Sequence, residues 1–340
     1  MFSKAKANQL RGNLESMKFL QSGGESSFEL GAAAAQGYAA YKQYYGLNFS
    51  ELNLELKSVR STSGTFSSGG YELVCQHFLP STQTPRKTAF LLHGYFDHTG
   101  LYRHLIEHLL KRDIAVVIFD LPGHGLSSGA TASISSFHEY SAALVECLVL
   151  AKQQQLATPW IAIGQSTGSA IIMDALLEKK LETGDAKQFL LQDFILLGPL
   201  LRPRQWLRSK ILFSLSRLFA AATPRKFSKN SHDAEFLEFI KNKDELQSRT
   251  LPRDWVLAMM DYINRFEASP CHEQSLQLIQ GRGDGTVEWE KNIPKILEKF
   301  PGSKVHWVDE ARHHLVNEAA PYREQVFALI DQISEASTLE

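Results

Sequence analysis

Apolar and polar positions change rhythm along this chain, and the changes divide it. Residues 1–29 are polar and Ser/Gly-rich, with little fold signal beyond a short helix. Residues 30–46 carry Tyr38, Tyr41 and Tyr45 at helical spacing, which predicts a helix whose tyrosine face packs on the main domain. From Leu54 the period becomes two. Leu54, Leu56 and Ser58 alternate with Glu55, Lys57 and Val59, predicting a strand, which Gly64 and Ser67-Ser68-Gly69-Gly70 punctuate before a second strand over Tyr71–Phe78.

Short apolar runs then alternate with amphipathic ones. Strands are predicted at Lys87–Leu92, Ile114–Phe119, Trp160–Ile163 and Asp193–Gly198. Helices are predicted at Leu101–Lys111, after the capping box Ser136-Phe137-His138-Glu139, and at Ser169–Leu177. From Leu200 to about Cys271 the pattern is helical, with no convincing strand. The alternation resumes with strands at Ser275–Ile279 and Val305–Val308 and helices over 288–300 and 321–333. Wholly apolar strands separated by helices imply βαβ units and a mostly parallel sheet covered on both faces. The expected organisation is an N-terminal helical extension (1–52), a first part of an α/β core (53–199), a helical lid inserted after the sixth strand (200–272), and a second part of the core (273–340).

In such sheets the reactive groups gather beyond the carboxyl ends of the strands. The strand at 160–163 runs into Gly164-Gln165-Ser166-Thr167-Gly168 and then a helix. A sharp strand-to-helix turn leaves room only for small neighbours, and it exposes the central hydroxyl. A serine hydroxyl needs a base to take its proton, and the base needs an acid to orient it. Asp284, in Gly281-Arg282-Gly283-Asp284-Gly285-Thr286-Val287, follows the strand at 275–279. His313 and His314 follow the strand at 305–308. Asp309 and Glu310 are rival acids, but they precede the base too closely to reach around it. The order Ser, Asp, His is that of an α/β-hydrolase triad. The oxyanion of such a reaction needs two N–H donors, expected from Thr167 and from Tyr95 in the loop after His93-Gly94. His124, in Gly123-His124-Gly125, reads as structural.

Composition narrows the function. The 340 residues carry a formal net charge of −1, so no global field favours nucleic acid. Cys75, Cys147 and Cys271 are widely spaced and form no metal cluster; a reducing compartment suits them. With no apolar leader or span, the expectation is a soluble, cytoplasmic protein.

Taken together, His93-Gly94, Asp120-x-x-Gly123-His124-Gly125-x-Ser127, Gly164-x-Ser166-x-Gly168, Gly281-x-x-Asp284-x-x-Val287 and His313-x-Leu315-x-x-Glu318 resemble the monoglyceride lipase and lysophospholipase branch of the α/β-hydrolases over roughly residues 54–335. The resemblance implies the α/β-hydrolase fold, a Ser166-Asp284-His313 triad, an acyl-enzyme route and no metal or organic cofactor. It implies a lipid-like monoester substrate, a monoacylglycerol or lysophospholipid. In that family the histidine lies five residues before the glutamate, which selects His313 over His314. The chain departs from the family at Tyr95 and Phe96, where small residues are usual. It departs again at Gln165 and Thr167, and at Ser169, where a glycine is common.

Substrate residues are expected at Phe96, Gln165, Trp206 and Phe213. From Arg202 to Lys229 there are eight Lys or Arg and no acid, with Leu207, Ile211, Leu215 and Leu218 on one helical face and Trp206 and Phe213 nearer Lys210 and Arg217. Such a face suits peripheral contact with a membrane or a phospholipid headgroup. Other readings compete: an aminopeptidase of related fold, with Asp233, Glu235 and Glu238 holding an amine, another small-ester hydrolase of the same fold, and a silent binding protein, disfavoured because all three triad members are present.

Overall fold

The computed structural model describes residues 1–20, 30–53, 56, 58–80, 84–179, 181, 191–206 and 222–336. Eight strands build the main sheet: β1 (Arg60–Ser68), β2 (Tyr71–Leu79), β3 (Lys87–Leu92), β4 (Ile114–Phe119), β5 (Trp160–Gln165), β6 (Leu191–Leu197), β9 (Gln277–Gly281) and β10 (Lys304–Val308). Two more, β7 (Ala222–Pro224) and β8 (Thr250–Pro252), form a small antiparallel pair. The main order is β1-β2-β4-β3-β5-β6-β9-β10. β1 pairs antiparallel with β2, and β2 antiparallel with β4; from β4 to β10 every neighbour is parallel. All six parallel strands therefore point their carboxyl ends to one edge.

Apolar side chains leave both faces of this sheet, and helices cover both. One layer joins Phe90, Phe119, Ala162 and Phe194 to α5 (Phe137–Gln153), α6 (Thr167–Leu177) and the helix Arg253–Ala268. The other joins Leu91, Ile118, Ile163 and Ile279 to α1 (Lys4–Asn13), α2 (Ala32–Tyr45), the short α3 (Phe49–Leu52), α4 (Arg103–Leu110) and the helix Ala320–Ala336. Adjacent strand residues face opposite sides, so alternate positions of one apolar run feed the two layers. Tyr38, Tyr41 and Tyr45 are all buried in the second layer, as their spacing on α2 anticipated.

Two expectations change. The first strand is Arg60–Ser68, not 54–59; Leu56 and Ser58 lie outside any strand, and Leu54, Glu55 and Lys57 lie outside the described residues. The residues read as punctuation belong to the strand. Gly69 and Gly70, at φ 58° and 82°, alone make the hairpin turn. Gly64 serves a close approach: a Cβ there would lie 2.6 Å from the Met17 Cα, because residues 15–17 run along β1, with Thr65 N–H donating to Glu15 and Met17 N–H to Thr65. The second change concerns 200–272, expected to lack strands. It contains β7 and β8 as well as Ala234–Glu238 and Arg253–Ala268, and its isolated Pro203 bridge pairs with Val287 of the core. Residues 207–221, with Phe213, Lys210, Arg217 and the four-residue apolar face, lie outside the described residues. Among the described residues no helix is long and apolar enough to cross a membrane.

Candidate active site

Ser166 sits between β5 and α6 at φ 54°, ψ −106°, a region an L residue occupies only under constraint. The constraint is tight packing on both flanks. A Cβ on Gly164 would lie 2.5 Å from the Gly168 carbonyl carbon, and one on Gly168 would lie 2.1 Å from the Leu92 carbonyl oxygen. Ser166 N–H donates to Leu197 at 2.8 Å. Ser169 hydroxyl donates to the Gly164 carbonyl at 2.6 Å, so the serine that replaces a common glycine adds a tie across the elbow. Gly168→Ala should lower stability by about 1–3 kcal/mol, because main chain rather than a mobile side chain must yield. A thermal midpoint equal to that of the unchanged protein would contradict this packing.

Asp284 follows β9 in a turn that opens the helix Trp289–Lys299. Its Oδ1 accepts the N–H groups of Thr286 at 2.7 Å and Val287 at 3.2 Å; its Oδ2 accepts the Gln280 amide at 3.1 Å. The first residues of the inserted segment brace this turn, with Arg204 N–H donating to the Thr286 carbonyl and Glu288 N–H to that of Arg202. Burial opposes the Asp284 charge, but His313 and the N–H donors outweigh it and hold the pKa below the ordinary carboxylate value.

His313 lies on the loop after β10. Its Nδ1–H donates to Asp284 Oδ2 at 2.8 Å, which leaves Nε2 to accept the Ser166 hydroxyl at 2.9 Å. Burial alone would lower its pKa; the Asp284 carboxylate, by charge and hydrogen bond, raises it above the ordinary imidazole value. Glu318, fully buried, holds this loop: its carboxylate accepts N–H groups from Arg312, His232 and Ala319 and faces the His232 ring at 3.0 Å.

The rival groups face elsewhere. His314 directs Nε2 to Asp97 at 3.2 Å and packs edge-on against Phe236. Asp309 is exposed and pairs with Arg282 at 3.0 Å, and Glu310 accepts the Tyr322 hydroxyl at 3.1 Å.

Thr167 is the first residue of α6, where a backbone N–H has no carbonyl of its own helix to reach. Tyr95 lies on the loop after β3, and among the described residues its N–H has no hydrogen-bond partner. His93 shapes that loop: Nδ1–H donates to the Gly94 carbonyl at 2.8 Å and Nε2 accepts the Leu121 N–H at 2.9 Å. His124 is buried and neutral, its Nδ1–H on the Pro122 carbonyl, and burial takes its pKa down to about 3. The aromatic departures are fastened in place. Tyr95 stacks on Trp255 at 3.8 Å and donates its hydroxyl to Ala132, and Phe96 holds φ 70° with its ring 4.0 Å from that of Tyr95.

Ser166, His313, Thr167 and Tyr95 open onto a cavity of about 250 Å³. Phe96 and Gln165 line it too. Gln165 also donates its amide to the His313 carbonyl at 2.9 Å, tying the elbow to the loop of the base. Trp206 does not join them: it is half-buried against the apolar layer of α5 and α6 and is absent from the described lining. Phe213 lies outside the described residues. The sequence pattern does not single out Asp97, Arg225 and Trp255, which line the cavity together with the rival base His314. For Asp97 a signal exists, since it follows His93-Gly94 by three residues; Arg225 is one of eight cations in a basic run.

The acids named for an amine site are absent from the lining of this cavity. Asp233 caps Ala234–Glu238 by accepting the Phe236 N–H, Glu238 accepts the Asn242 amide, and Asp233 and Glu235 line a second cavity with Tyr44 and His104. Among the described residues, His138, Asp174 and Glu178 have ligand atoms close enough for a metal, but Arg265 Nη1 bonds Asp174 at 2.6 Å and Glu178 at 3.1 Å and answers their charge.

A mostly parallel sheet, a strained serine on a strand-to-helix elbow, and a buried Asp–His pair within hydrogen-bonding reach define an α/β-hydrolase. The comparisons agree. Residues 83–320 match the family model described as serine aminopeptidase, S33, and the chain belongs to that family. It is similar to a monoglyceride lipase from Homo sapiens, 30% identical over 110 residues, covering 32% of this chain and 36% of that one. A monoglyceride lipase from Rattus norvegicus is 30% identical over 130 residues, covering 38% and 42%. These matches span well under half of either relative. A soluble variant of monoglyceride lipase from Saccharomyces cerevisiae, solved with a substrate analog, shares the fold at TM-score 0.65 with 16% identity, covering 79% of this chain and 92% of that one.

Proposed function

We propose that this protein is a serine hydrolase that cleaves lipid-like monoesters, monoacylglycerols or lysophospholipids, through an acyl-enzyme. The observation that carries the reading is the hydrogen-bonded series Ser166–His313–Asp284 at the mouth of a cavity with aromatic walls. In this reading the Ser166 oxygen attacks the ester carbonyl as His313 Nε2 takes its proton. The N–H groups of Thr167 and Tyr95 hold the oxyanion, and His313 returns the proton to the departing alcohol. Water activated by His313 then releases the acid. Similarity to lipases whose matched stretches include only part of their length supports an ester substrate. The aminopeptidase alternative gains nothing from Asp233, Glu235 and Glu238, which are absent from the lining of the cavity of Ser166.

Covalent labelling by a fluorophosphonate tests the reading. The protein should label, and Ser166→Ala should not; an unlabelled wild type ends it.

The segment 200–272 serves in this proposal as a lid over the strand ends, since Trp255, Leu251 and Arg225 reach the cavity from it. Its basic stretch brings a cytoplasmic enzyme into peripheral contact with anionic lipid. Pelleting with vesicles containing about 30% anionic lipid should carry the protein down at low salt and release it at high salt; a protein that stays in the supernatant at low salt refutes the contact.

A further inference from the structure

The cavity that Ser166 lines also holds a cation that is fixed in place and, among the described residues, makes no direct ion pair. The Arg225 guanidinium lies over the Phe96 ring at 4.0 Å and the Phe227 ring at 4.4 Å. Its Nη1 donates to the Gln247 side-chain oxygen and to the Ser248 carbonyl, both uncharged. Among the described residues it makes no ion pair, and its Nε and Nη2 donate to none of them. Asp97 and Asp244 act on it through space, but the Asp97 carboxylate already accepts the Tyr102 hydroxyl at 3.1 Å and His314 Nε2–H at 3.2 Å, and Asp244 pairs with His98 at 2.9 Å. Lys226 lines the same cavity and adds a second positive charge. Two rings and two neutral acceptors thus hold a guanidinium fork in position, with its ordering cost met before a ligand arrives.

The segment that carries Arg225 is bound to the loop of the base: His314 N–H donates to the Asn230 carbonyl at 2.8 Å, and Arg312 Nη1 donates to the Ser231 carbonyl at 2.7 Å. His313 Nε2 must meet the departing alcohol to protonate it, so groups joined to its loop border the alcohol half of an ester. Acyl chains carry no charge there for Arg225 to meet; an anionic alcohol does.

We propose that Arg225 is the specificity-determining residue of the alcohol side, where it takes the phosphate or carboxylate of an ester whose alcohol portion is anionic. This rests on the hydrolase reading and names the substrate class within it. Guanidinium pairs with either oxyanion through two parallel N–H bonds, which a neutral glycerol cannot supply.

Three esters of one acyl chain test it on the full-length protein: 1-octanoylglycerol, 1-octanoylglycerol 3-phosphate and 3-octanoyloxypropanoate. The wild type should favour at least one anionic ester over the neutral one by roughly tenfold or more in kcat/KM. Which of the two wins separates a phosphate from a carboxylate source. Arg225→Met should reduce that ratio by about tenfold, chiefly through KM, while Arg225→Lys should keep part of it. Equal turnover of the three esters by wild type, or an unchanged ratio in Arg225→Met, overturns the proposal.

Calorimetry with glycerol 3-phosphate and with glycerate supplies a readout independent of turnover. Binding of one of them by wild type, weakened by salt, supports the proposal even where Arg225→Met fails to fold or no ester is cleaved; binding of neither overturns it. Failure of the hydrolase reading shows separately, as absence of fluorophosphonate labelling.

Discussion

Replacing Ser166 by alanine is expected to reduce kcat for any ester by about a million-fold, because the other members of the series have nothing to activate. The loss should be confined to chemistry. The Ser166 hydroxyl donates to His313 alone, and the fold around it is held by main-chain contacts: Ser166 N–H on Leu197 and the close packing of Gly164 and Gly168. A thermal midpoint near that of wild type, with no burst of product on mixing, is the expected result. An alanine variant that keeps more than about one-hundredth of the activity would show that another nucleophile does the work.

Asp284→Asn is expected to cost about ten-thousand-fold in kcat. The reason lies in where the asparagine must point. Thr286 and Val287 aim N–H groups at the Oδ1 position, so the side-chain oxygen must stay there. The NH₂ then replaces Oδ2 and faces both His313 Nδ1 and the Gln280 amide, which are themselves donors toward the aspartate. His313 relieves the conflict by moving its proton to Nε2, the nitrogen that must accept from Ser166. The variant should therefore fold and yet hold the wrong tautomer. The pH profile gives a second readout. In wild type the base works only when His313 is neutral, and its raised pKa places the acidic limb of kcat/KM above the ordinary imidazole value. Without the Asp284 carboxylate, burial is opposed only by the charge of Asp97, and the acidic limb should move to lower pH. An unshifted limb, or activity within tenfold of wild type, would contradict Asp284 as the orienting acid.

The misread first strand shows where pattern ends. Alternation at 54–59 looked like a strand because period two is a local property, whereas Gly64 and Ser67-Ser68 looked like breaks because glycine and serine usually are. Residues 15–17 lie against β1 and make Gly64 a packing requirement rather than a turn. No local rule could reveal that, since the partner is almost fifty residues away. The same holds for Trp206, whose aromatic character suggests substrate and which packs half-buried against the core, and for Arg225, one of eight cations in a run and distinguished only by the two rings and the cavity around it.

The sequence by itself determined what depends on neighbours along the chain. Apolar runs of strand length between amphipathic helices specify a buried parallel sheet, because a strand without a polar face must be covered on both sides. Gly164 and Gly168 specify an elbow, because no larger residue fits the turn. Only the tertiary structure decided what depends on direction. The spacing to Glu318 in the family motif selects His313 over His314, but only the fold shows why: one points to Asp284 and Ser166 and the other to Asp97, because Glu318 and Gln165 set how their loop leaves β10. Asp284 and Asp309 are both acids after late strands, yet one is buried among N–H donors and the other meets solvent and Arg282. Identity and spacing decide which groups can reach the strand ends. Burial and the hydrogen bonds of the flanking loops decide which of them turn inward.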